Sequence, residues 1–253
     1  MTGWQIAGFL LCVTAATCAQ NLTGFAVALV LLGLTGLFQL APLPDVANVA
    51  TVLSLANASI LLRGTRKSLD WPVLRATIGA SVFGVAAGVM LLGWLQANVV
   101  TALRLLLGIV VVGCAMVVLL QAKPLAQRSS NASFGAFGLL SGLLGGLFSA
   151  SGPALVYQFY RQPMAVRAVR DTLVAALAAN SLLRLAMVVP AGQFSSLSLT
   201  LCVLAVPLAM SISWWLERHP PQWPRPTVLR LVCALLLVTG GGLIVSAVKA
   251  MLA

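Results

Sequence analysis

Ten apolar segments separated by short polar joints constrain this chain more than any other feature. They cover residues 4–18, 22–40, 46–62, 72–95, 99–121, 134–148, 153–160, 172–189, 196–216 and 228–250. Most are long enough to cross a hydrocarbon core that needs about 20 helical residues. Apolar residues make up 60% of the chain and charged residues 8%, whereas a soluble domain carries roughly 25% charged residues. A single core cannot hide that excess, so lipid must solvate much of it. Within lipid every backbone polar group has to be satisfied by the chain itself, which leaves helices and closed barrels. Strand-like alternation is absent, so the expected fold is an all-α polytopic membrane protein with membrane lipid as its solvent.

The formal charge of +11 would suggest a nucleic-acid partner in a soluble domain. Here most basic residues sit in joints, and their distribution reads as topology. With the N-terminus placed outside, the joints at 63–70, 122–133, 161–171 and 217–230 fall on the cytoplasmic side. They hold Arg63, Arg66, Lys67, Lys123, Arg128, Arg161, Arg167, Arg170, Arg218, Arg225 and Arg230, eleven of the fifteen basic residues. The outer joints at 41–45, 96–98 and 190–195 hold none, and Lys249 alone lies on an outer tail. The positive-inside rule therefore places both termini outside and removes the nucleic-acid reading. No cleavable signal peptide is expected, since no basic stretch precedes the first apolar run. The five cysteines lie in apolar segments without paired spacing and read as inert, buried thiols.

Two pairs of segments, 4–18/22–40 and 134–148/153–160, each contain a short member and a break of small and polar residues. The breaks are Gln20-Asn21-Leu22-Thr23-Gly24 and Ser149-Ala150-Ser151-Gly152-Pro153. Both read as helical hairpins broken inside the membrane. The halves of the chain also echo each other. TVLSLANASILLR from Thr51 to Arg63 aligns without a gap with TLVAALAANSLLR from Thr172 to Arg184. Arg104 in LRLLLG aligns with Arg230 in LRLVCA, and Thr23-Gly24 with Ser151-Gly152. The expected organisation is a first membrane repeat over 1–121, a cytoplasmic linker over 122–133 and a second repeat over 134–253. Each repeat is a broken hairpin plus three transmembrane helices. That odd number of crossings inverts the second half relative to the first. Inverted repeats around broken helices are a transporter architecture; a static membrane protein with an old duplication is the bland alternative.

At the hairpins the sequence resembles the sulfite exporter TauE/SafE family. The first string, Gln20-Asn21-Leu22-Thr23-Gly24-Phe25-Ala26-Val27-Ala28-Leu29, is similar to that family's TGFG-type hairpin. The second, Gly142-Leu143-Leu144-Gly145-Gly146-Leu147-Phe148-Ser149-Ala150-Ser151-Gly152-Pro153, is the more specific. The resemblance covers nearly the whole chain. It departs at Ala26, where the family often has Gly, and at Ser149-Ala150-Ser151, where the family is richer in Gly. It implies a bacterial inner-membrane carrier of sulfite, sulfonates or related small sulfur-containing anions, commonly outward, and a homodimer. No cofactor or metal is implied.

An anion in a low-dielectric site needs hydrogen-bond donors and positive potential, and a broken helix supplies both at its N-terminus. Gly24 and Gly152 would let backbone approach the anion, while Thr23, Ser149 and Ser151 add hydroxyls. The two tips are expected to meet near the midplane. Gln20, Asn21, Asn57 and Asn180 are amides at apolar positions, able to bind sulfonate oxygens or neighbouring helices. Asn180 and Arg184, four residues apart, share a helix face. Arg184 reads either as an anion-binding cation inside a span or as an interfacial residue on the outer side. The acids Asp45, Asp70, Asp171 and Glu217 all lie at segment ends, leaving a mid-span carboxylate relay without a carrier.

Other classes fare worse. An intramembrane hydrolase needs a base beside its nucleophile, and the one histidine, His219, lies in a Pro-rich loop. A metal site lacks a His/Cys/carboxylate cluster. No long soluble segment supports an accessory subunit. A passive anion channel shares every feature above and differs from a carrier only in kinetics.

Overall fold

In a computed structural model describing residues 3–62, 69–119, 125–219 and 225–252, the chain forms ten helices and, among those residues, no strand. They are α1 (Gly3–Thr23), α2 (Val27–Leu37), α3 (Leu43–Leu61), α4 (Trp71–Asn98), α5 (Val100–Leu119), α6 (Asn131–Phe148), α7 (Gly152–Tyr160), α8 (Val166–Val188), α9 (Ser196–Arg218) and α10 (Arg225–Leu252). Local chemistry sets several starts. Asp70 accepts a hydrogen bond from the Val73 N–H with Pro72 in the first turn of α4, and Ser130 and Ser195 cap α6 and α9 in the same way. Seven helices (α1, α4, α5, α6, α8, α9 and α10) are long and apolar enough to cross a membrane. Of the basic residues expected on the cytoplasmic side, Arg63, Arg66, Lys67 and Lys123 lie outside the described residues.

The first hairpin differs from expectation. Helix α1 does not stop at residue 18 but continues through Thr23, and the short arm is α2, eleven residues long. The polar residues need not break the helix, because its own carbonyls receive them. Asn21 Nδ2 donates to Thr17 O at 2.9 Å and Thr23 Oγ1 to Ala19 O at 2.7 Å. The chain turns only at Gly24, whose φ of +90° costs glycine nothing. Helix α8 also starts earlier than its apolar run, at Val166, so Arg167 and Arg170 lie in its first turns.

Helices α4 and α6 share the closest seam, and its cause is glycine spacing. Gly84 and Gly88 on α4 face Gly138, Gly142 and Gly146 on α6. A Cβ at any of these five would lie 2.2–2.4 Å from a backbone oxygen of the other helix. Small residues four apart flatten both surfaces and let backbones approach, which is how helices associate where lipid is as apolar as leucine. Helices α5 and α10 form a second close pair around Gly108 and Gly240. The contact pattern has a period of five helices: α4 with α6 pairs with α9 and α1, α4 with α8 with α9 and α3. The contacts α1–α2, α2–α3 and α2–α10 likewise have counterparts α6–α7, α7–α8 and α7–α5.

Large apolar side chains such as Leu11, Phe83, Met90, Ile109, Leu199, Val203, Val238 and Val245 are exposed around the bundle, as lipid contact requires. Trp214 and Trp215 are exposed near the end of α9, with the Arg218 guanidinium 3.7 Å above the Trp214 ring. Tryptophan beside arginine fits a membrane–water boundary. Helix α3, packed against α2, α8 and α9, buries Asn48 and Thr51 and carries Asp45, Ser54 and Asn57 half-buried.

Candidate substrate site

The second break is held by a reversed backbone. Ser149 ends α6 in the left-handed region, φ +56° and ψ +17°, and its N–H still reaches Gly145 O at 2.8 Å. The Ala150 N–H closes back onto Leu144 O, which completes a helix-terminating motif of the kind glycine usually serves. The chain then restarts as α7 at Gly152, with Pro153 in its first turn. The first break mirrors this plan, with Gly24 turning the chain and α2 starting at Val27.

The two breaks touch. A Cβ on Gly152 would lie 2.7 Å from Phe25 Cβ, so only glycine allows the tips this close. Beside that contact lies a pocket with about 420 Å³ of empty space, part of it open to solvent. Gln20, Gly24, Asn57, Ser149, Ser151 and Gly152, six of the ten residues named from the sequence, line it. Ser54 of α3, Ser181 of α8 and Phe25 line it too, unforeseen.

Two properties of this pocket bear on its ligand. The N-termini of α2 and α7 both face it through Val27 and Gly152. First-turn N–H groups have no partner within their own helix and carry partial positive charge. Five lining side chains are also uncommitted: Gln20, Ser54, Asn57, Ser151 and Ser181 make no side-chain hydrogen bond within the described protein. Polar groups in a membrane interior are ordinarily paired, because each unpaired one costs free energy. Among the described residues no charged side chain lines the pocket, so none of their carboxylates repels an anion there.

Four expected residues fall elsewhere. Asn21 also donates to Ser213 Oγ on α9 at 2.9 Å, and Thr23 bonds to its own helix. Asn180 stands behind the tip: its Nδ2 donates to Ser141 Oγ at 3.0 Å, and that hydroxyl donates to Ser151 O at 2.9 Å. Arg184 is fully buried and stands one hydroxyl away from the tip. Its Nη1 donates to Thr51 Oγ1 at 2.7 Å and to Asn48 Oδ1 at 3.0 Å, and its Nε to Gly146 O at 3.0 Å. Thr51 Oγ1 lies 3.1 Å from Ser149 Oγ. The snorkelling alternative for Arg184 does not fit this burial. Sequence carried one signal for the missed residues: Ser54 lies one helical turn before Asn57, and Ser181 one turn before Arg184. A second, smaller pocket adjoins the first through Gln20 and Asn57, lined otherwise by Thr17, Leu53, Ala56, Ala209, Met210 and Ser213.

No solved structure matches this chain. A curated relative from Cupriavidus necator, described as a probable sulfite/organosulfonate exporter TauE, is 33% identical over 236 residues, covering 93% of this chain and 92% of the relative. The profile of the family described as sulfite exporter TauE/SafE matches residues 9–243. That span takes in both hairpins and the helices between them, so this multi-pass membrane protein is a transporter rather than an enzyme and belongs to the TauE/SafE family.

Proposed function

We propose that the protein exports sulfite or small organosulfonates across a bacterial inner membrane by alternating access, binding the anion where the N-termini of α2 and α7 converge. The observation that carries this reading is the pocket of uncommitted donors between two helix N-termini, with no charged side chain among its described lining residues. A sulfonate offers three oxygens to donors and carries its charge over all of them. The serines at 54, 151 and 181 and the amides of Gln20 and Asn57 supply those donors. The relative's described cargo supports the anion class.

The mechanism rests on two repeats of opposite topology, α1–α5 and α6–α10. The five-helix period of the contacts supports that division. Two such halves give two arrangements of similar energy, one open to each side. The skewed basic residues support an orientation with both termini outside. A passive channel remains the alternative and differs in one observable: carrier flux saturates and is accelerated by substrate on the opposite side.

The test is flux of sulfite and 2-hydroxyethanesulfonate in proteoliposomes, with the Ser151→Ala/Gly152→Ala variant alongside. Saturable, trans-stimulated flux that the variant loses supports the proposal. Absence of flux for every sulfur anion removes the cargo assignment, and linear flux without trans-stimulation replaces the carrier with a channel.

A further inference from the structure

The geometry points to a gate built from Asp45, Asn48, Thr51, Arg184 and Ser198, which seals the substrate pocket at the end of the bundle that carries Asp45. This rests on the carrier reading above. On α3 the pocket residues Ser54, Asn57 and Ala58 lie toward the C-terminal end. Asp45, Asn48 and Thr51 repeat every three residues toward the other end. On α8 the pocket residues Val174, Leu177 and Ser181 are followed one turn later by Arg184. On both helices the network thus begins where the pocket stops. From Ser54 to Asp45 the sealed stretch is about 13 Å long at about 1.5 Å per residue.

Within it, hydrogen bonds join four helices. Ser195 and Ser198 at the start of α9 both donate to Asp45 Oδ1, the latter at 2.6 Å. Asn48 Nδ2 donates to Ser198 Oγ at 3.1 Å and to Gln193 O at 2.9 Å, while Asn48 Oδ1 accepts from Arg184. Arg184 ties α8 to α3 and, through Gly146 O, to α6. Asn48, Thr51, Arg184 and Ser198 are all buried, at most 2% exposed. The arginine is not saturated: its Nη2 is buried without a partner. Opening this end for release separates α3 from α8 and α9, and these bonds are the ones that must break. Asp45, Asn48 and Ser198 are therefore gating residues that act on the site through Arg184 and Thr51 without touching substrate.

The experiment reads sidedness. A Ser54→Cys reporter sits at the inner limit of the pocket, and a membrane-impermeant methanethiosulfonate is applied to one face of sealed vesicles at a time. Labelling of the protein without the reporter sets the background from its five native cysteines. With the network intact, the reporter is expected to react from the face at the C-terminal end of α3 and slowly from the Asp45 face. Adding Asn48→Ala should raise the rate from the Asp45 face by about tenfold and lower the opposite rate, the mark of a shifted two-state population. Ser198→Ala, a milder change, should act in the same direction. Equal increases from both faces with a fall in thermal stability would make the network merely structural and overturn the gate. So would unchanged rates in both variants. A sidedness shift in a protein that carries no sulfur anion would leave the gate standing and remove the cargo reading. Equal labelling from both faces of the intact network would remove gate and carrier together.

Discussion

Gly142→Ala tests whether the α4–α6 seam holds the second hairpin in place. The added Cβ would lie 2.3 Å from Ser81 O. Carbon does not approach oxygen closer than roughly 3.0–3.2 Å, so the helices must part by about 0.7–0.9 Å. The contact is backbone against backbone, and no rotamer change relieves it. A gap of that size forfeits about a quarter to a half of each facing dispersion contact, and the loss spreads to Gly84, Gly88, Gly138 and Gly146. Overpacking of this kind costs about 1–3 kcal/mol. At roughly 2–4 °C per kcal/mol, the apparent melting temperature in detergent should fall by about 2–12 °C. Gly113→Ala is the control, because nothing lies within 4 Å of its added carbon. That substitution should leave the temperature unchanged or raise it, since alanine is the better helix former by roughly 0.5–1 kcal/mol. Melting temperatures by fluorescence-detected size exclusion decide the matter. If Gly142→Ala and Gly113→Ala melt together, the seam is not a close backbone contact and the reasoning fails.

Other substitutions separate the roles of the polar residues. Ser54→Ala and Ser181→Ala each remove an uncommitted donor and should raise the half-saturating sulfite concentration by about 10- to 150-fold, the equivalent of roughly 1.5–3 kcal/mol for a hydrogen bond to a charged group; an unchanged value would place the anion elsewhere. Asn180→Ala and Ser141→Ala break the same chain to Ser151 O, so in a flux assay the double variant should lose little more than either single one. Arg184→Lys keeps the charge but cannot reach Gly146 O, Asn48 and Thr51 together. It should lower thermal stability by at least ~2 kcal/mol, because buried acceptors lose their donor. A lysine variant as stable as the parent would mean that the fork is not needed.

The helices were legible because lipid simplifies the code: long apolar runs must pair their own backbone, and ten runs became ten helices. The hairpin tips were legible from Gly24 and from Ser149 to Gly152, whose residues suit turns and close approach. Where α1 ends was not, because Gln20, Asn21 and Thr23 look like a break. The Asn21 and Thr23 side chains serve helix carbonyls and a neighbour as readily as a loop, and only the positive φ of Gly24 marks the turn. The orientation of polar side chains was equally hidden. Asn57 and Asn180 stand two positions apart in the aligned stretches, so they lie on different helix faces, but neither stretch says that the first faces the pocket and the second props up Ser151 from behind. Spacing puts a residue on a helix face, but the partner that occupies that face comes from a distant segment. The glycine seam shows the same limit: regular glycines were visible on α6, and their partners on α4 lay more than fifty residues away.

Ser149 shows what this protein keeps against its own conformational interest. A non-glycine residue in the left-handed region costs about 1–2 kcal/mol relative to a permissive one. Glycine would end α6 at that point without strain, but it would carry no hydroxyl to face Thr51 and the pocket. The serine thus marks a residue chosen for an oxygen atom rather than for the shape of the chain. Ser149→Gly accordingly removes that hydroxyl together with its Cβ, in a backbone that should become more stable. A gain in melting temperature with a loss of transport would show stability and function opposed at one residue.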